Sequence, residues 1–247
     1  MKRDRVKFRE SHKASLRLFS VVMLSWKRPT NVYEIVAHLR LNPLVDDILV
    51  WNNNPKEKLP ALRGISGVQV LHSTDLGLHT RWAASLLTKN DVILMQDDDL
   101  LLDDVGISQL HYAYSAEPNC IHTCHGRIIT ENETYVAKDT KEKEVDIALT
   151  RLTMFHRKHV LSFFAAKDLI PSELWEITKQ NGEDILFSFA VSQGDRQKIR
   201  NHFASLKPHL KKLPEPFAIR ARADHEKIRT SIVRECRRLF TKCYLPS

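Results

Sequence analysis

Val92-Ile93-Leu94-Met95-Gln96-Asp97-Asp98-Asp99 is the stretch on which the fold turns. An unbroken apolar run of this length, with polar residues at both ends, reads as a strand covered on both faces. Adjacent carboxylates follow it directly, and like charges repel unless something positive lies among them. A solvated acidic turn running on to Asp103 and Asp104 is the plainer alternative.

The flanking sequence repeats the strand pattern. Phe19 to Leu24 (FSVVML) and Asp47 to Trp51 (DILVW) are further buried strands, and Val68 to Leu71 is another. Val32, Ile35, Val36 and Leu39 have helical spacing, with Asn31 or Thr30 as the expected cap. A second helix is expected through Arg81 to Leu87. Strands alternating with helices predict a doubly wound sheet, whose ligands bind beyond the carboxyl ends of the strands. Arg28, Asn52 with Asn53, and Asp97 with Asp99 fall at such ends.

The second half predicts helices at Ile107–Tyr114, Leu174–Gln180 and Ile185–Val191, and strands at Ile121–Ile129 and Val145–Phe155. Residues 194–216 read as a loop or lid. Ile228, Ile232, Val233, Cys236, Leu239 and Phe240 then recur at helical spacing, which predicts a final amphipathic helix. The expected organisation is a basic arm over 1–17 and a single domain over 18–247. Its nucleotide-binding half would run to about 105, with the acceptor and catalytic half after it.

At 247 residues and 43% apolar, the chain is long enough for one sizeable core. A net charge of +8 suits an anionic ligand or surface, whether nucleic acid, lipid headgroups or a nucleotide diphosphate. Neither G-x-x-x-x-G-K-[ST] nor G-x-G-x-x-G occurs, which excludes the commonest phosphate loops. Cys120 and Cys124 lack C-x-x-C spacing, and all four cysteines read as packed or free thiols. No apolar stretch approaches the roughly 18 residues of a membrane span. A cytoplasmic location is therefore expected, or a lumenal one (ER or Golgi) if the chain is part of a longer protein. Contact with a membrane surface would run through the basic segments.

Three motifs carry chemistry. A hard divalent cation takes oxygen ligands and shares one or two carboxylates with substrate phosphates, which suits Asp97 and Asp99 at a strand end. This is the D-x-D pattern of nucleotide-sugar transferases. Glu183-Asp184 precedes the apolar run Ile185 to Val191, where acidic residues favour a helix N-terminus. There a carboxylate is also placed to act as a base or to stabilise a cationic sugar. In Arg222-Ala223-Asp224-His225-Glu226-Lys227-Ile228-Arg229, His225 and Arg229 share a helix face and form a candidate anion site. A basic solvated face, with Arg234, Arg237 and Arg238, is the alternative there.

Taken in order, these motifs resemble the exostosin-like glycosyltransferases, family 64 among sugar transferases. The similarity runs from Phe19 to about Phe240. S-W-K-R after the first strand resembles the family's T-Y-N-R, and V-W-N-N at Val50 to Asn53 matches nearly as it stands. V-I-L-M-Q-D-D-D resembles V-L-M-V-D-D-D, G-E-D-I at Gly182 to Ile185 resembles C-D-D-I, and R-A-D-H-E-K-I-R-T resembles R-A-E-H-x-x-x-R-S.

The resemblance implies a GT-A fold, with a mixed central sheet flanked by helices. It also implies a UDP-sugar donor, a divalent ion (manganese, or magnesium) and retention of configuration. Arg28, Asn52, Asn53 and Arg81 would line the nucleotide pocket, and Asp97 and Asp98 would hold ribose and uracil. Asp99 would ligate the metal, with Asp97 beside it. Asp184 would sit at the reacting centre, and His225 and Arg229 would hold the diphosphate, with Arg229 also stabilising the leaving group. An N-acetylhexosamine or related sugar would go to a glycan, glycolipid or protein acceptor. The chain departs from the family at Leu76 and Thr80, where asparagines are usual. It also departs at Gly182 and about Ile232, where the family often carries a disulfide.

Three rivals stand beside this expectation. One is an inverting family-2-type transferase with Asp184 as base, and another is a catalytically inactive transferase-like module. The third is a nucleic-acid binder using residues 195–242, which hold 14 Lys and Arg against 5 Asp and Glu. That last one is disfavoured, because the acidic cluster repels phosphate without a metal.

Overall fold

The computed structural model describes residues 18–194, 196–214 and 223–244; the expected basic arm and Arg222 lie outside them. The central layer is a sheet built from β1 (Phe19–Ser25), β2 (Val45–Asn52), β3 (Val68–His72), β4 (Val92–Gln96), β6 (Ile121–Thr123), β9 (Thr153–His156) and β10 (Ile199–Asn201). Its order is β10-β6-β9-β4-β1-β2-β3. β1 pairs in parallel with β2 and β4, and β3 and β10 also lie parallel to their neighbours. β9 alone runs against both strands beside it. The expected GT-A architecture, a mixed sheet with flanking helices, is the one found.

The strands alternate between two cores. Val21, Met23, Ile48, Val50 and Leu94 face α1 (Pro29–Leu39) and α3 (Asp104–Ala116). Val22, Leu49, Ile93 and Met95 face the other core. That side is covered by α2 (Thr80–Leu86), α4 (Lys158–Ala165), α5 (Ser172–Gln180), α6 (Glu183–Phe189) and α8 (His225–Tyr244). Both faces are covered, which is why the central strands are apolar throughout. Trp82 stacks on Phe187 at 4.1 Å between ring centroids, which ties α2 to α6.

Several expectations need correction. Neither Thr30 nor Asn31 caps α1: Arg28 holds the cap position without a side-chain bond, and Pro29 opens the helix. Asn31 instead donates to the carbonyls of Asp98 and Pro214, each at 2.7 Å, and so ties α1 to the acidic turn. The strand expected over 121–129 is broken after Thr123. Gly126–Arg127 (β7) leaves the central sheet and pairs with Ile147–Ala148 (β8). The strand expected over 145–155 is divided in the same way between β8 and β9. Residues 194–216 are not one loop: they include β10, the short α7 (Phe203–Leu206) and β11 (Leu210–Lys212), which pairs with β5 (Leu100–Leu102). Helix α4 was not foreseen.

At β1 the chain's course across the sheet reverses, with β2 on one side and β4 on the other. The crevice beyond the carboxyl ends there is where open α/β sheets bind ligands. β9 runs the other way, so its amino end comes to the same edge, with Met95 opposite Thr153. Residues just before β9 therefore join residues just after β4.

Candidate active site

The acidic turn is held by arginines. Arg81 Nη1, on α2, lies 2.9 Å from Asp97 Oδ1. Arg28, after β1, places Nη2 2.8 Å from Asp98 Oδ1 and Nη1 3.4 Å from Asp99 Oδ2. Arg151, just before β9, completes the set with Nη2 at 3.1 Å from Asp99 Oδ1. The repulsion expected among the carboxylates is thus met by fixed guanidinium groups, which suit planar contact with oxygen anions.

Arg81 joins this turn to the second acidic motif, because its Nε stands 3.5 Å from Glu183 Oε1. Burial opposes the Arg81 charge, but Asp97 and Glu183 outweigh it and raise its pKa. Burial also raises the Glu183 carboxyl above its ordinary range, against the pull of Arg81. Gly182 starts α6 with φ +113°, a conformation that suits glycine. Ile232 lies against it: a Cβ on Gly182 would come within 2.5 Å of the Ile232 Cδ1. Gly182, where the resemblance leads one to expect a cysteine, thus makes an apolar contact with the last helix instead.

Asp184 is paired with Arg229, whose Nη2 lies 2.7 Å from Oδ2, and both residues are about 95% buried. Its Oδ1 accepts the Ile185 N–H at 2.9 Å. Burial disfavours the Arg229 charge, but Asp184 and Tyr135 more than offset this and raise its pKa. The Arg229 guanidinium lies 4.5 Å over the Tyr135 ring. Asn181 accepts from Arg229 at 3.2 Å and meets His225 Nδ1 at 3.2 Å. His225 and Arg229 do share a face of α8, and Asn181 already links them without a ligand.

Asn52 and Asn53 are buried and spent on loops. Asn52 donates to the carbonyls of Asn54 and Glu57. Asn53 donates to the Gly77 carbonyl and the Thr80 hydroxyl, and so holds the start of α2 and with it Arg81.

Several residues beside the site carry no motif: Arg151, Tyr135, Asn181, and a cluster in which Asp139 receives His125 Nδ1 at 3.0 Å and Arg127 Nη1 at 2.6 Å. They come from segments without a motif, and only the fold brings them together. Part of the basic surplus over 195–242 is internally paired: Arg200 with Glu117 and Glu144, Lys211 with Glu34, and Arg229 with Asp184. That pairing weakens the case for a nucleic-acid surface.

Burial raises the Asp98 carboxyl from an ordinary 3.8 to about 7, although Arg28 opposes the shift. A carboxyl raised on folding favours the folded state when protonated. Between pH 4 and 7, Asp98 should therefore make the protein less stable as pH rises. Urea denaturation across that range should show a flatter profile for Asp98→Asn. An unchanged pH slope would contradict the assignment.

Comparison with known proteins agrees with this geometry. The family model described as "Glycosyl transferase family 64 domain" matches residues 19–246. No curated protein matches. Among solved structures, the crystal structure of GalNAc-T7 with UDP, GalNAc and Mn2+ superposes with a TM-score of 0.66 at 12% identity. The match covers 93% of this chain and 50% of that one, so the chain spans half the length of that structure. The sheet order, the carboxylates beyond β4 and a family match that spans residues 19–246 lead to one conclusion: this chain has the GT-A fold and belongs to glycosyl transferase family 64.

Proposed function

We propose that this enzyme transfers a sugar, an N-acetylhexosamine or a related one, from a UDP donor to an acceptor hydroxyl with retention of configuration and with the help of a divalent cation. One observation carries the proposal: Arg81 bridges Asp97 of the D-x-D turn and Glu183 beside Asp184, so the motifs converge on one sheet edge. The superposed GalNAc-T7 structure contains UDP and Mn2+, which supports a donor and metal of that kind.

The donor set fits a hard cation in kind. Asp97 and Asp99 offer carboxylate oxygens, and among the described residues Oδ1 of Asp97 accepts from Arg81 and Oδ1 of Asp99 from Arg151. Among those residues no group of three or more His, Cys, Asp and Glu forms a ready cage. This fits a cation that takes its remaining ligands from phosphate and water. Asp99 would hold it with Asp97 beside it, and it would neutralise charge on the departing diphosphate.

The other roles follow from position. Arg28 and Arg81 would meet the nucleotide side, with Asp98 beside them, and Asn52 and Asn53 would shape the loops against which it lies. His225 and Arg229 would face the diphosphate. Both Asp184 oxygens already accept hydrogen bonds, which suits a fixed negative charge opposite a cationic sugar better than a base. This favours retention over an inverting family-2-type reaction. The acceptor side would be a glycan, glycolipid or protein hydroxyl.

Asp184→Asn tests the assignment. It should unfold more easily, since Arg229 loses its counter-charge, yet below its melting range it should keep Mn2+-dependent UDP binding and lose about 10²-fold or more in turnover of UDP-sugars. Wild-type turnover in this variant would leave Asp184 only its structural role beside Arg229.

A further inference from the structure

We infer that Arg151 is a built-in counter-ion for Asp99. It occupies the carboxylate in the free enzyme, so that a divalent cation enters this site together with the nucleotide diphosphate and not before it. This role rests on the metal-dependent transfer proposed above.

Arg151 owes its place to the reversed strand. β9 runs against β4, so the residues before β9 lie beside the turn after β4. From there Arg151 Nη2 reaches Asp99 Oδ1 at 3.1 Å, while Arg28 Nη1 stands 3.4 Å from Oδ2. Each oxygen of the proposed metal ligand thus faces a guanidinium. The Arg151 and Asp99 side chains are 18% and 11% exposed, so water screens the pair only in part. An arginine stays charged at any working pH, so the hold does not relax by deprotonation.

The consequence is an exchange of partners. A cation binding alone must displace Arg151 from Asp99 and costs that guanidinium this ion pair. A cation arriving with a diphosphate brings phosphate oxygens, which guanidinium groups bind well. Asp99 then passes from Arg151 to the cation, and Arg151 passes from Asp99 to phosphate. That route replaces the ion pair that is lost, so cation and nucleotide bind cooperatively. Arg28, which also contacts Asp98, need not leave the turn.

The test is Mn2+ binding read by electron paramagnetic resonance of the free ion, on intact protein with and without UDP. Arg151→Gln should bind Mn2+ alone about tenfold more tightly than wild type, since a charge-assisted pair no longer competes. Arg151→Lys keeps the charge and should stay within about threefold of wild type. Arg127→Gln, whose partner is Asp139, should change by less than about twofold. The gain in Mn2+ affinity given by UDP should shrink in Arg151→Gln. Arg151→Met provides the same comparison should the glutamine variant not fold. Unchanged Mn2+ affinity in Arg151→Gln, with Mn2+–UDP binding intact in wild type, would overturn this role alone. An equal gain in Arg127→Gln would also overturn it, by showing a general field effect. Absence of UDP-dependent Mn2+ binding in wild type would overturn the metal-dependent transfer and this role with it.

Discussion

Arg229→Met should unfold about 3–5 kcal/mol more easily than wild type in urea and should transfer no measurable sugar. The stability loss is the penalty for leaving one member of a buried ion pair behind. Asp184 and Arg229 are each about 95% buried and 2.7 Å apart, and water cannot replace the lost partner. Methionine keeps much of the side-chain volume, so packing over Tyr135 and α6 is largely preserved. The double variant Asp184→Met with Arg229→Met removes both charges and should recover a large part of that stability, because apolar pairs of similar volume often replace buried ion pairs without loss. Its activity should remain absent. Recovered stability without recovered turnover separates the functional role of the pair from its structural one. A single variant as stable as wild type would show that the ion pair is not formed in solution.

Asp99→Ala should fold normally and lose all dependence of UDP binding on divalent cation. Arg28 and Arg151 lie on the oxygens of Asp99, and both arginines are partly exposed and can be hydrated. The loss of fold stability should therefore be small. The effect on transfer should be large, about 10³-fold, since a Lewis acid at the leaving group supplies several kcal/mol of transition-state stabilisation. Release of UDP from a panel of UDP-sugars, with and without Mn2+, gives both readouts. Near wild-type turnover in Asp99→Ala would move the metal site elsewhere.

The first half of the fold was legible because it is governed by burial. FSVVML, DILVW and VILM are strands covered on both faces, and only apolar runs survive there. The α8 face was legible for a related reason: Ile232, Val233, Cys236 and Phe240 pack into one core and recur at helical spacing. The second half was harder because hydropathy does not report which sheet a strand joins. Ile121 to Ile129 reads as one strand, yet the chain leaves the central sheet after Thr123. Gly126 marks the change, since a Cβ there would come within 2.6 Å of the Val145 Cγ2. Nor does an apolar run reveal its direction, so the reversal of β9, and with it the position of Arg151, had no signature.

The site was legible where chemistry is concentrated in a short motif: Asp97 to Asp99, Glu183 with Asp184, and His225 with Arg229. Its positive half was legible only in part. Arg28, Arg81 and Arg229 stood beside recognisable strand ends or in a motif. Arg151 and Arg127 stood in neither, and their partners Asp99 and Asp139 lie 52 and 12 residues away in sequence. Asn31 was misjudged because a residue near a helix start has a local use, and here the tertiary use prevailed.

The central claim is that cation and UDP bind this sheet edge together, and calorimetric titration of UDP into the wild-type protein tests it most directly. In Mn2+ the titration should saturate, and at a hundredfold excess over Kd the bound protein should gain about 2.7 kcal/mol of stability. In EDTA the affinity should fall by about tenfold or more, because Asp97 and Asp99 then face the diphosphate without a bridging ion. Equal UDP affinity in Mn2+ and in EDTA would contradict the account.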